Sequence, residues 1–195
     1  MPNDAADAPG TVDPPASRGS RPYLAAIIVL LVLVLDQASK VWVVHSLSNG
    51  HRVEIVDGQL WLGLSRNSGS AFSLFSSFTP MLAVIAIGVA VFLVRVVRRV
   101  EDPLLIVALS LVLAGAVGNL VDRVFRSPGF MKGAVIDFIA SKHWPTFNVA
   151  DSAISVGAVL LLCWGWRRPT HPVHPATASP SQSSDSRTPG PGTPV

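Results

Sequence analysis

GAVIDFIASKHWPTFNVADSA, residues 133–153, carries two aspartates, Asp137 and Asp151, in surroundings that its own residues make nearly anhydrous. Asp137 lies inside the apolar run AVIDFI, and Asp151 opens a long apolar segment with the character of a membrane helix. A charge in such a place is expensive, so an ionisable group found there reads first as functional. Two carboxylates meeting in a poorly solvated pocket resist joint ionisation and tend to share one proton, which makes them a ready acid and base.

The rest of the chain supplies the medium. Of its 195 residues, 49% are hydrophobic and only 14% charged, and the mean hydropathy is +0.47. That is too apolar for a soluble domain and points to a small integral membrane protein. A helix crosses a bilayer with about 20 residues, and four segments qualify: 23–44, 80–97, 104–121 and 147–166. The last ends in Trp164, Trp166, Arg167 and Arg168, an interfacial anchor. The first lacks a small-residue cleavage site and carries DQASK instead, so it reads as a retained span. Between spans one and two, residues 45–78 contain VEIV and QLWLGL, short strand-like runs with Gly58, Gly63 and Gly69. The expected fold is therefore an all-α membrane protein of four transmembrane helices, with a small β element on the outer membrane face. Residues 22–168 form this body. Residues 1–21 and 169–195, rich in Pro, Ser, Ala and Gly, read as disordered tails.

Several function classes are excluded. The net charge of +3 is spread over loops and no nucleic-acid module is present, which argues against nucleic-acid binding. Cys163 is the lone cysteine, HExxH is absent, and His45, His51, His143, His171 and His174 lack ligand spacing, so neither a metal nor a cofactor is expected. Ser39 and Lys40 are adjacent, and adjacent helical residues do not face each other, which disfavours a serine mechanism.

Consecutive spans alternate in direction. The ends of spans one and three therefore share a side with the starts of spans two and four, and the polar residues follow that rule. Asp36 and Lys40 close span one, Asn119, Asp122 and Arg123 close span three, and Asn148 and Asp151 open span four. Arg18 and Arg21, then Arg95, Arg98 and Arg99, then Arg167 and Arg168 mark the opposite side as cytoplasmic, with both termini inside. Bland readings stand beside these: an Asp36–Lys40 helix pair, Asn119 and Asn148 as interhelical hydrogen bonds, and Gly115, Gly118 and Gly157 as packing positions. A proton-coupled transporter would use Asp36, Asp122, Asp137 and Asp151 as a relay, but spans two to four hold no ionisable residue at mid-depth. A helical scaffold that only binds partners is the third possibility.

DQASK at 36–40, NSGSAF at 67–72, GNLVDR at 118–123, VIDF at 135–138 and FNVADSAI at 147–154, in that order, resemble the motifs of the lipoprotein signal peptidase, or type II signal peptidase, family. The resemblance covers residues 24–166. It implies an aspartic endopeptidase of the bacterial cytoplasmic membrane, active toward the outer side, that cuts diacylglyceryl-modified prolipoproteins just before the lipid-bearing cysteine. Its partners would be those substrates, membrane lipids and globomycin-type inhibitors. Asp137 and Asp151 match the catalytic aspartates. Asp36, Lys40, Asn67, Gly69, Asn119, Asp122, Arg123, Asn148 and Ala150 match positions that support the pair or line the substrate groove. Asp122 is the main competitor for a catalytic role, ranked second because neighbouring Arg123 favours a permanently ionised carboxylate. FRSPGFMKGA, between GNLVDR and VIDF, is longer here than in many relatives.

Overall fold

The computed structural model describes residues 21–69 and 79–167. The expected tails, apart from Arg21, and Ser70 to Phe72 of the NSGSAF motif fall outside the described residues; Arg21 begins the first helix. Four helices are long and apolar enough to cross a membrane: α1 (Arg21–Leu47), α2 (Thr79–Val97), α3 (Pro103–Phe125) and α4 (Val149–Trp166). Leu30, Leu31, Phe92, Val159 and Leu162 stand exposed along them. Water would not tolerate such apolar stripes, whereas lipid solvates them, so the chain is a multi-pass membrane protein.

Helix α3 is the axis, packing against each of the other three. Away from the polar end, Ala25, Leu93, Val97, Ile106, Leu109 and Leu113 join α1, α2 and α3 in one apolar core. Asp102 caps α3 there, accepting from the amides of Leu104 and Leu105, and Pro103 occupies the first turn. Its other oxygen accepts from Trp164 Nε1 at 2.7 Å, which ties the far end of α4 to the start of α3. Gly115 and Gly157 let α3 and α4 approach as the packing reading expects, since a Cβ on either would strike the facing helix.

At the opposite end sits a three-stranded antiparallel sheet in the order β1 (Arg52–Val56), β2 (Leu60–Asn67), β3 (Val135–Ser141). Strands one and two match VEIV and QLWLGL. The third lies outside the span 45–78 assigned to the β element, and it carries Asp137. β3 is buried along nearly its whole length. A strand covered on both faces reads as a continuous apolar run, and AVIDFI does not alternate for that reason. Val43, Leu47, Ile136 and Phe138, with Leu62 and Leu64, fasten the sheet to the end of α1.

Helix boundaries also move, three of them near the polar end. Helix α1 runs to Leu47, not 44, and α3 to Phe125, not 121, which puts Asp122 and Arg123 inside its final turns. Helix α4 starts at Val149 because Phe147 pairs with Ile139 of β3, leaving Asn148 as the cap.

Gly118 faces α1 most tightly: a Cβ there would lie 2.7 Å from Asp36 Oδ2 and 3.2 Å from Ala150 Cβ. Gly118→Ala is expected to lower stability by about 1–3 kcal/mol through overpacking, read by thermal unfolding in detergent. Gly88→Ala, where an added methyl meets nothing within 4 Å, is the matched control and is expected to show no loss.

Candidate active site

The polar end is built outward from the start of α4. Asn148 caps the helix: its Oδ1 accepts from the Asp151 amide at 3.0 Å, and Asp151 Oδ2 accepts in return from the Asn148 amide at 3.2 Å. Asp151 thus sits in a first helical turn, where the backbone dipole favours negative charge. Because Phe147 is hydrogen-bonded to Ile139 in both directions, Asn148 is held against β3. Its Nδ2 donates to Asp137 Oδ1 at 2.7 Å and to Asn119 Oδ1 at 3.1 Å. Asn148 therefore bonds to both aspartates.

Asp137 receives a second bond, from Asn67 Nδ2 at 3.0 Å. Asn67 is aimed by its other end, where Oδ1 accepts from the Gly69 amide at 2.9 Å. Gly69 has φ +87°, a conformation other residues rarely adopt. Burial pushes the Asp137 carboxyl up to about 6; the charge of Asp151 adds to this, while the bonds from Asn67 and Asn148 and the charge of Lys40 oppose it.

Asp151 is oriented by α3. Asn119 Nδ2 donates to its Oδ1 at 2.8 Å, and Asn119 Oδ1 accepts from Lys40 Nζ at 3.2 Å. Lys40 is fully buried, 2.8 Å from Asp36 and 2.8 Å from Asp122, both also fully buried. Asp36 Oδ1 accepts from the Ala150 amide at 3.0 Å, satisfying an otherwise orphaned donor of α4. Ala150 itself is fully buried.

Asp122 is the competing catalyst that the motifs offer, with adjacent Arg123 as the cation expected to keep it ionised. Its ion pairs run instead to Lys40 and to Arg126 Nε at 2.6 Å, with a further bond from the Ile136 amide at 3.2 Å. Arg123 Nη1 donates to Asn119 O at 3.3 Å, and its Nε is buried without a hydrogen-bond partner. Two contributors escaped the sequence reading. One is Gln37, whose Nε2 donates to Asp36 at 3.0 Å and to Gly118 O at 3.2 Å; the other is Arg126. Their only signal was spacing: Gln37 adjoins Asp36, and Arg126 follows Asp122 by four residues, one helical turn.

Four membrane helices that gather a hydrogen-bonded carboxylate pair at one end, with no ionisable group in the middle of α2, α3 or α4, define an integral membrane protein with the groups of an aspartic peptidase. The sequence profile of the signal peptidase (SPase) II family matches residues 28–167. Relatives named lipoprotein signal peptidase include one from Mycolicibacterium smegmatis, 42% identical over 80% of this chain and 66% of its own length. Another, from Rhodococcus jostii, is 41% identical over 80% of this chain and 79% of its own. A solved bacterial membrane enzyme, determined by the in meso method, superposes with a TM-score of 0.67 at 27% identity, over 75% of this chain and 95% of that one. The chain belongs to the signal peptidase II family. The activity expected from its motifs, removal of prolipoprotein signal peptides by a membrane aspartic endopeptidase, is that of its family.

Lys40 is the only cation paired with Asp36 among the described residues. Lys40→Met is expected to cost about 3–5 kcal/mol by stranding a buried charge, seen as a lower unfolding temperature in detergent. An unchanged midpoint would remove Lys40 from its place as the electrostatic hub.

Proposed function

We propose that Asp137 and Asp151 are the catalytic pair with which this chain cuts diacylglyceryl-modified prolipoproteins immediately before the lipid-bearing cysteine. The observation that carries the reading is Asn148, which donates to Asp137 and exchanges hydrogen bonds with Asp151, holding the two carboxylates at one locus. Asp137 is the member that takes the shared proton, because burial has already raised it. Asp151 is the base.

In this scheme a water between the pair loses a proton to Asp151 as its oxygen attacks the scissile carbonyl carbon. Asp137 gives its proton to the carbonyl oxygen, forming a neutral tetrahedral diol. The diol collapses as the C–N bond breaks, one carboxyl protonating the leaving nitrogen and the other recovering a proton from the diol. The products are the free signal peptide and a cysteine with a new amino terminus. Asn148 and Asn119 hold the carboxyls in register, Asn67 and Gly69 fix Asp137, and Asp36, Lys40, Asp122 and Ala150 fix the ends of the spans. Arg123, whose Nη1 donates to Asn119 O, supports the pair from the end of α3 or lines the substrate groove.

Residues 22–168 act as one peptidase domain. The positive flanks of the other end support cytoplasmic termini and a site facing outward, where the acyl chains of the substrate and neighbouring membrane lipids reach it. Globomycin-type cyclic peptides would compete for the same groove.

Mass spectrometry of a lipidated prolipoprotein incubated with the purified protein tests this directly. Asp137→Asn and Asp151→Asn are each expected to lower turnover by roughly a thousandfold or more while the protein remains folded; full activity in either ends the assignment.

The pH profile is a separate test. With one proton shared, kcat/KM of the free enzyme is expected to decline as pH rises through the Asp137 value, about 6, because the acid is then lost. A profile flat from pH 5 to pH 8 would mean Asp137 is not the proton donor.

A further inference from the structure

The segment that follows GNLVDR lies outside every motif used so far, yet its Arg126 reaches into the buried network. Helix α3 ends at Phe125, and Arg126 is its cap, with extended backbone and its amide bonded to Asp122 O at 3.0 Å. From there Arg126 Nε reaches Asp122 Oδ1 at 2.6 Å. We propose that Arg126 is a positioning residue that holds both members of the Asp137–Asp151 pair through Asp122. This rests on the reading of those two aspartates as the reacting carboxyls.

Asp122 distributes its hold through two arms. Its Oδ2 accepts from the Ile136 amide at 3.2 Å, and Ile136 immediately precedes Asp137 in β3. The same oxygen binds Lys40 at 2.8 Å, which bonds to Asn119 Oδ1, while Asn119 Nδ2 donates to Asp151. One carboxylate thus sets the strand bearing Asp137 and the amide aiming at Asp151. It does so only if it stays ionised and fixed in angle.

Charge balance shows why Lys40 does not suffice. Asp36 and Asp122 are both fully buried and both lean on the single Lys40 ammonium, leaving one negative charge in excess. Arg126, with its side chain only 24% exposed, removes that excess. Its Nε–H is also a single directional donor held in a rigid planar group, which fixes the angle of the carboxylate better than a point charge does.

The intervening residues bring Arg126 and β3 together. Gly133 N bonds to Arg123 O at 2.9 Å and Ala134 N to Ser127 O at 3.1 Å, so residues 126–134 return to the end of α3 before β3 begins. A side chain at Gly133 would collide with the Asp122 carbonyl. Residues 126–134 therefore form a clasp whose two ends meet at Asp122.

Asp137 is faced by Lys40 from α1, Arg123 from α3, Asp151 from α4 and the neutral Asn67 from β2. Loss of Arg126 leaves an uncompensated negative charge behind this set, which favours the protonated acid. Arg126→Gln is expected to lower kcat about tenfold with KM changed by less than about twofold, and to move the declining limb of the pH profile upward by roughly half a unit. Arg126→Lys, which restores charge but not the directional Nε–H, is expected to return the limb to its wild-type position with intermediate turnover. Because Arg126 acts through Asp122, adding Arg126→Gln to Asp122→Asn is expected to change turnover by less than about twofold.

A folded Arg126→Gln protein with wild-type kcat and pH profile overturns the proposal, and so do losses that multiply in the double variant. If Arg126→Gln fails to fold, the comparison of Asp122→Asn with the double variant decides the matter. Asp137→Asn assayed alongside separates the two levels: if it is inactive while Arg126→Gln is normal, only the role of Arg126 fails. An active Asp137→Asn variant defeats the pair itself.

Discussion

An ammonium group without water must be surrounded by partners, and Lys40 is such a group. Its Nζ lies between Asp36 and Asp122 and against the Asn119 carbonyl. Removing ions from water costs several kcal/mol each before attraction repays it, so the cluster is not a cheap source of stability. What it provides is registry. Asp36 ties α1 to the first turn of α4 through the Ala150 amide, and Asp122 ties α3 to α1 and β3. Apolar side chains in lipid slide past one another with little preference, because lipid tails match them. The arrangement that pairs Lys40 with Asp36 and Asp122 also brings Asn148 between Asp137 and Asp151.

The two aspartates occupy unlike sites. Asp151 stands in a first helical turn, at the positive end of a backbone dipole, and both its oxygens accept from amides. Asp137 stands on a buried strand that has no comparable dipole, and burial raises it to about 6. A symmetric pair would leave the direction of proton transfer to chance. Here the secondary structure breaks the symmetry, under the reading that these are the reacting groups.

Much of this was legible in the chain. The four spans declare themselves by length and apolarity, and alternation alone sends the Asp36–Lys40, Asn119–Asp122 and Asn148–Asp151 sets to a common end. VEIV and QLWLGL read as strands because turn residues separate them. AVIDFI did not, because a strand buried on both faces loses the two-residue alternation by which strands are recognised. The partner of Asp122 was misjudged for a related reason. Adjacency in sequence pointed to Arg123, but on a helix the neighbour in space is a turn away, at Arg126. Nothing in the chain announced that Phe147 would pair with Ile139 and so bring the cap of α4 to Asp137, because that contact depends on how a loop closes over the sheet.

The distribution of charge also limits what kind of bond can be cut. Beyond Asp151, helix α4 carries no charged residue as far as Trp166, and α3 none before Asp122. Any chemistry by the pair is thereby confined to the depth of the helix ends, close to the lipid headgroups. A substrate must bring its scissile bond to that depth. A diacylglyceryl group does so by burying its methylenes, at about 0.8 kcal/mol each, with the cysteine held at the boundary. Under the proposed reading, depth does much of the selecting, and the residues around the cut need supply little beyond an extended backbone. A small bundle suffices for that task, provided its buried ions hold the pair still.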